Sequence, residues 1–287
     1  MLHKRTALQN KLEKMKTITV TRDTENSSVA IITLNRPEQM NSFNVQMCDE
    51  LMEAYADLDK DNSVRVIVVT GAGRAFCAGA DISEGFKAVS GVNYHEGVAR
   101  DKGGELVLAM FGCATPIIGA INGAAVGIGA TMLLPMELRI ASVKTKFAFP
   151  FARRGIVFDG ASSWFLPRLV GYSKASEWIL KSDILRAEEV LSAGLVSELK
   201  EPDEVLPHSL TIARDIAQNC SPTSTILNKR LLHQSMTGFG ALDAAPFKAH
   251  MEESALLEKA FVSDDCREGV TAFFEKRAPE FKDYQNE

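Results

Sequence analysis

A chain of 287 residues, 46% hydrophobic and 24% charged, is long and apolar enough to bury its own core, as one domain or as one with a small appendage. Its formal net charge of −5 provides no overall positive field for nucleic acid or an anionic membrane surface, and its longest apolar stretches, such as Ile117 to Ala120 or Ala130 to Leu134, fall far short of the ~20 residues of a membrane span. The five cysteines are scattered and form no CxxC pair, which argues against a disulfide framework or a zinc site and for a reducing, cytoplasmic setting.

The first 16 residues carry five Lys or Arg against Glu13 alone, but they hold no serine and no apolar h-region, so a solvated extension is expected rather than a targeting sequence. Alternation in Ile18 to Thr21 and Val29 to Leu34 predicts two strands, stopped at the Asn35-Arg36-Pro37 turn, where proline ends the ladder. From Val45 to Leu58 the apolar residues Met47, Leu51, Ala54, Tyr55 and Leu58 recur at threes and fours, which predicts a helix with one buried face. Val64 to Thr70 is too apolar for a surface strand and reads as buried on both sides. After a variable stretch from Ser83 to Asp101 come a helix from about Gly104 to Phe111 and an apolar strand, Pro116 to Ile121. Strand, helix and strand in this order imply parallel βα packing.

Beyond Gly171 the pattern turns helical almost throughout, over 175–181, 187–193, 204–218, 221–235, near 247–261, and 264–276. The expected organisation is thus an extension over 1–16, an α/β core over 17–200 and a helical section over 201–287.

Two glycine-rich turns, GAGRAFCAGADI (Gly71 to Ile82) and INGAAVGIGATM (Ile121 to Met132), each leave a buried strand, where free backbone N–H groups can point at a ligand. Either alone reads as an ordinary tight turn; the pair at matching topological positions is a stronger signal. Gly127, Gly129 and Met132 break the GxGxxG spacing of a dinucleotide site, and there is no GxxxxGK[ST], GxSxG or HExxH motif. The five histidines show no metal-ligand spacing.

AFCAGADI (Ala75 to Ile82), INGAAVGIGATM, FARRGIVFDGASSWFLPRLVG (Phe151 to Gly171), AEEVLSAGLVSEL (Ala187 to Leu199) and DCREGVTAFFEKRAPEF (Asp265 to Phe281) are similar, in order and spacing, to successive blocks of the enoyl-CoA hydratase/isomerase (crotonase) superfamily. The resemblance runs from about residue 30 to 282. It implies a crotonase-like ββα spiral core with a helical C-terminal section that packs a homotrimer or a dimer of trimers. It also implies an acyl-CoA thioester as substrate, with no cofactor beyond the CoA of that substrate. In the family, the N–H groups at the positions of Ala80 and Ile128 form an oxyanion hole. That fits the two turns, because a thioester oxygen gains charge when an α-proton leaves and two preorganised donors stabilise it. Ala78, Asp81, Ile82 and Gly127 of the turns, with Trp164 further on, are expected around the substrate.

Family hydratases carry two glutamates, at the positions of Thr131 and Phe151 here; neither replacement exchanges a proton at neutral pH. The remaining acid, Asp159, aligns with the single carboxylate of the family's enoyl-CoA isomerases, usually glutamate. Its neighbours Phe158, Trp164 and Phe165 and the upstream Phe147, Phe149 and Phe151 are expected to desolvate it and raise its pKa. The competing local reading makes Asp159 the cap of a helix beginning near Ala161.

Met40-Asn41-Ser42-Phe43 matches the family's CoA contacts, and Phe273 and Lys276 match positions that approach CoA from a neighbouring subunit; helix core and a solvated face are the plain readings of that last pair. Arg153-Arg154 reads as surface or interface. The expected activity is migration of a double bond from 3-enoyl-CoA to 2-enoyl-CoA. Its rivals are an atypical hydratase, a dehalogenase or hydrolase with Asp159 as nucleophile and His95 as the candidate water activator, and an idle acyl-CoA binder.

Overall fold

The computed structural model describes residues 15–83, 94–95, 98–237 and 263–283. The first 14 residues, most of the variable stretch after Ser83 and the helix expected near 247–261 lie outside them.

A six-stranded sheet carries the fold. It is built from β1 (Ile18–Arg22), β2 (Val29–Leu34), β3 (Val66–Gly71), β7 (Ile117–Ile121), β9 (Leu138–Ser142) and β12 (Glu198–Lys200), side by side in that order. Only the β1–β2 pair is antiparallel; the other four pairings are parallel. A parallel strand covered on both faces must be apolar on both, and β3 shows it: Ile67 and Val69 join the main core, while Val66 and Val68 face a second cluster with Val205, Ala213 and Ala217. Those three residues belong to the helix Val205–Asn219, so the helical section beyond residue 200 shares a core with the sheet.

A second sheet, of very short strands, accompanies the first. It contains β4 (Ala75–Cys77), β8 (Ala124–Val126), β10 (Lys146–Ala148) and β11 (Ile184–Arg186), in the order β11-β10-β8-β4. Chain order therefore alternates between sheets: β3 then β4, β7 then β8, β9 then β10. After β4 comes the small hairpin of β5 (Tyr94–His95) and β6 (Val98–Ala99) and then a helix, Lys102–Gly112; after β8 comes the single turn Ile128–Thr131. This repeat is the ββα spiral that the sequence resemblance implies. The second sheet corrects the sequence reading, which took the segments after β3 and β7 as turns alone.

The expected helices stand close to their predicted bounds. With α1 as Val45–Lys60, α2 as Lys102–Gly112 and α3 as Ile128–Thr131, the later ones are α4 (Ser162–Val170), α5 (Tyr172–Lys181), α6 (Ala187–Ser192), α7 (Val205–Asn219), α8 (Pro222–Thr237) and α9 (Asp264–Glu275). Among the described residues, the strands that interrupt the helices beyond Gly171 are β11 and β12. Buried Lys229 of α8 donates to the Thr115 carbonyl and to Glu137, which ties the helical section to the start of β7.

The segment between β2 and α1 is fixed by Asn41, which is wholly buried. Its Nδ2 donates to the carbonyls of Ala72 (2.9 Å) and Ala75 (2.8 Å), and its Oδ1 accepts from the Arg36 N–H (2.9 Å). Met40 and Asn41 both adopt positive φ, at 52° and 56°, an arrangement that asparagine tolerates better than most residues. Asn41→Ala orphans two buried carbonyls and one N–H, and is expected to lower stability by about 3 kcal/mol in urea unfolding. A loss under about 0.5 kcal/mol would show that the clip is not structural.

Candidate active site

The two glycine-rich turns meet backbone to backbone. Gly129 lies so close to β4 that a Cβ there would stand 2.1 Å from the Cys77 carbonyl oxygen. Gly79, at φ +109°, would place a Cβ 3.2 Å from the Val126 carbonyl. Side chains at either position would push the turns apart, so the glycines set how closely β4 and β8 approach.

Ala80 pairs with Phe43 in an isolated parallel bridge, in which the Phe43 N–H donates to Gly79 O and the Asp81 N–H to Phe43 O. Ala80's own N–H is left without an acceptor among the described residues. Ile128 opens α3, so no preceding turn supplies a carbonyl for its N–H, which likewise has no acceptor among the described residues. Both residues line one cavity of about 280 Å³, walled also by Phe43, Ala78, Ile82, Gly127, Phe151 and Asp159. Two unpaired donors in a largely apolar cavity can stabilise a developing oxyanion.

Asp159 reaches this cavity from a strained turn. Gly160 and Ala161 both adopt left-handed φ, 61° and 50°, immediately before α4. The carbonyl of Asp159, not its side chain, accepts from the N–H and Oγ of Ser162. The carboxylate is therefore not the cap of α4. It turns instead to Thr131, whose Oγ1 donates to Asp159 Oδ1 at 2.6 Å. Burial pushes the Asp159 pKa up to about 6; the Thr131 hydrogen bond opposes the rise and the charge of Asp101 adds to it.

Not every residue singled out in the sequence reaches the cavity. Thr131 lies wholly buried behind Asp159. Trp164 packs edge-on against Phe111 and Phe165, with Arg168 above its ring. Phe149 stacks on Trp178, so of the aromatic run Phe147, Phe149 and Phe151 only the last lines the wall. Asp81 is clamped by Arg36 (2.8 Å) and Ser83 (2.7 Å), which hold its carboxyl down at about 2. Met40, Asn41 and Ser42 sit beside the cavity and only Phe43 of that run lines it. Lys276 is exposed at the end of α9, and the Phe273 side chain and that of His95 lie outside what is described.

The sequence reading did not place Gly79, Asp101, Lys102, Gly103, Val126, Pro150, Arg154 or Ile156 at the site, and all of them line the wall. Asp101 had a findable signal, since it caps α2 by accepting from the Gly104 N–H. Among the described residues no group of three or more His, Cys, Asp or Glu side chains is placed to hold a metal ion. No described helix is long and apolar enough to cross a membrane.

Comparison with known proteins places this geometry in context. A family model described as enoyl-CoA hydratase/isomerase matches residues 24–285. The enoyl-CoA hydratase ACTT3 of Alternaria alternata is 42% identical over 260 residues, which make up 90% of this chain and 84% of that protein. A 1,2-epoxyphenylacetyl-CoA isomerase of Escherichia coli is 32% identical over 255 residues, 88% of this chain and 94% of that one. Among solved structures, an enoyl-CoA hydratase from Bacillus anthracis superposes with a TM-score of 0.82 at 28% identity, covering 93% of this chain and 99% of that one.

The raised Asp159 pKa has a stability consequence independent of any assay. The folded state holds this proton up to about pH 6, whereas an unfolded aspartate releases it near 3.8. Folding is therefore opposed increasingly as pH rises through that window, and fully above it. Asp159→Asn, which can still accept from Thr131, is expected to be more stable than the wild type by about 3 kcal/mol at pH 7.5 and nearly equal to it at pH 3.5, read by urea unfolding. A stability difference that does not change with pH would contradict the raised pKa.

Proposed function

The chain belongs to the enoyl-CoA hydratase/isomerase family, and within it we propose that it shifts the double bond of an unsaturated acyl-CoA from C3–C4 to C2–C3, with Asp159 as proton shuttle. The carrying observation is the placement of Asp159 beside the two unpaired donors, while the positions of the family hydratases' glutamates hold Thr131 and Phe151.

In this reading the thioester oxygen sits between the N–H groups of Ala80 and Ile128. Asp159 removes a C2 proton, and the dienolate's charge collects on that oxygen, where each donor is worth roughly 3 kcal/mol. The same carboxylic acid then delivers the proton to C4, which leaves the double bond conjugated with the thioester. A base with a pKa near 6 suits both halves, because it is ionised in the free enzyme yet holds the proton while the dienolate lasts. Thr131 fixes one carboxylate oxygen and leaves Oδ2 for the transfer. Phe43, Ala78, Ile82, Gly127 and Phe151 form the wall against acyl chain and thioester. We assign the CoA approach to Met40 and Ser42, held in place by the buried Asn41, with Phe273 and Lys276 contributed by the neighbouring subunit of a homotrimer.

Hydration is the second reading, favoured by the hydratase name of the Alternaria relative. Against it stands the wall itself, where Phe151 offers no group to activate water.

Assaying conversion of 3-enoyl-CoA to 2-enoyl-CoA and hydration of crotonyl-CoA side by side separates the two. Isomerisation should dominate, its kcat/KM should fall on the acid side near pH 6, and Asp159→Asn should lose about 10³-fold. An unimpaired Asp159→Asn, or hydration outrunning isomerisation, would overturn the proposal.

A further inference from the structure

Asp159 is not the only carboxylate at this cavity. Asp101 also lines it, from the residue just before α2 and on the exposed side of the wall. Between them stands Gly103. A Cβ on Gly103 would lie 3.3 Å from Asp101 Oδ2 and 3.3 Å from Asp159 Oδ2, so the two oxygens are at most twice that distance apart. The same point is 2.7 Å from Cδ1 of Ile128, so the two acids meet against the side chain of that residue.

The orientations are held from both sides. Asp101 accepts from the Gly104 N–H at 2.5 Å, which pins its carboxylate to the first turn of α2. Thr131 engages Oδ1 of Asp159, which leaves Oδ2 turned toward Gly103 and Asp101.

Nothing cationic stands directly between them. The Lys102 ammonium, the nearest candidate on α2, is turned to Asp49 (3.1 Å) and Glu105 (3.1 Å). Arg154 reaches the wall from the exposed turn after Phe151, and from β4 the buried Cys77 thiol, itself pushed up to about 12, stays neutral. Thr131 is the remaining polar contact, from α3.

We propose that Asp101 is a positioning residue of the proton shuttle: its negative charge, fixed at the cavity mouth and facing Asp159 across Gly103, makes Asp159 hold the transferred proton more tightly. The inference rests on the reading of Asp159 as the base. A carboxylate in contact only with the Thr131 donor would be a weaker proton acceptor; a like charge close by works in the opposite direction to that hydrogen bond. A Cβ at Gly103 would press on Ile128 Cδ1 at 2.7 Å and on both carboxylates, so glycine there lets the two acids and Ile128 keep their places.

The test is the pH dependence of isomerisation. Asp101→Asn and Asp101→Ser both remove the charge while keeping a competent N-cap, so α2 is preserved. In each, the acid limb of kcat/KM should move to lower pH by roughly half a unit, the effect of one like charge at this range in a mostly aqueous dielectric. At pH 5 each variant should then retain roughly three times more of its own plateau activity than the wild type does. Asp101→Glu should restore the wild-type limb, and raising salt should shift the wild type toward the variants but leave the variants in place.

An acid limb unmoved in both neutral variants, with Asp159→Asn inactive, would overturn the role of Asp101 and leave Asp159 as the base. Loss of activity at every pH in folded Asp101→Asn would also overturn it, because Asp101 would then exchange a proton with substrate itself. An active Asp159→Asn would instead fail the underlying reading.

Discussion

The contact on which the site depends is the one between two stretches of bare backbone. Gly129 approaches Cys77 so closely that no side chain fits between them, and Gly79, at positive φ, lies tight against Val126. That approach lets three-residue strands pair in parallel, β4 to β8, and it turns the N–H groups that follow each strand toward a common space. Hydrogen bonding accounts for what remains free. The Phe43 bridge takes up Gly79 O and the Asp81 N–H on either side of Ala80, and the Val126–Gly127 corner sends the Gly127 N–H to Ala148 O. Ala80 and Ile128, which both line the cavity, keep N–H groups without an acceptor among the described residues. Both N–H groups border the cavity, where a bound oxygen can take the place of a backbone acceptor.

The acid is treated in the opposite way. Asp159 is presented by two successive left-handed residues, one of them the non-glycine Ala161, and is drawn into a wall where burial raises its pKa to about 6. A single hydroxyl, Thr131 Oγ1, offsets part of that desolvation. The turn and the burial both oppose folding. Structures that keep such features at a cavity trade stability for a group with a useful proton affinity. The rest of the molecule supplies the offset: the doubly covered six-stranded sheet, and local clips such as Asn41, which holds the Phe43 bridge in place.

How much of this the sequence disclosed follows from element length. β2, β3 and β7 are apolar runs of five or six residues, and α1 shows its buried face through Met47, Leu51, Tyr55 and Leu58; both kinds of signal exceed one structural period. Ala75–Cys77, Ala124–Val126 and Lys146–Ala148 do not, since three residues cannot display alternation, and the glycines around the first two make them read as turns. The start of α2 was placed late because Gly103-Gly104 looks like a break, although Asp101 before it is a good N-cap. Asn41 illustrates a different limit. Its type and place fit a ligand contact as well as a buried clip, and only the carbonyls of Ala72 and Ala75, more than thirty residues on, decide the matter. Likewise Thr131 and Asp159 meet across 28 residues, so the partner of the acid was not legible even where both residues had been singled out.

The account turns on where a thioester sits. A crystal structure with a non-isomerisable acyl-CoA analogue should place the thioester oxygen about 3 Å from both the Ala80 and Ile128 nitrogens, with C2 and C4 in reach of Asp159 Oδ2. A thioester bound outside the span of those two nitrogens, or an acyl chain directed away from Asp159, would contradict it.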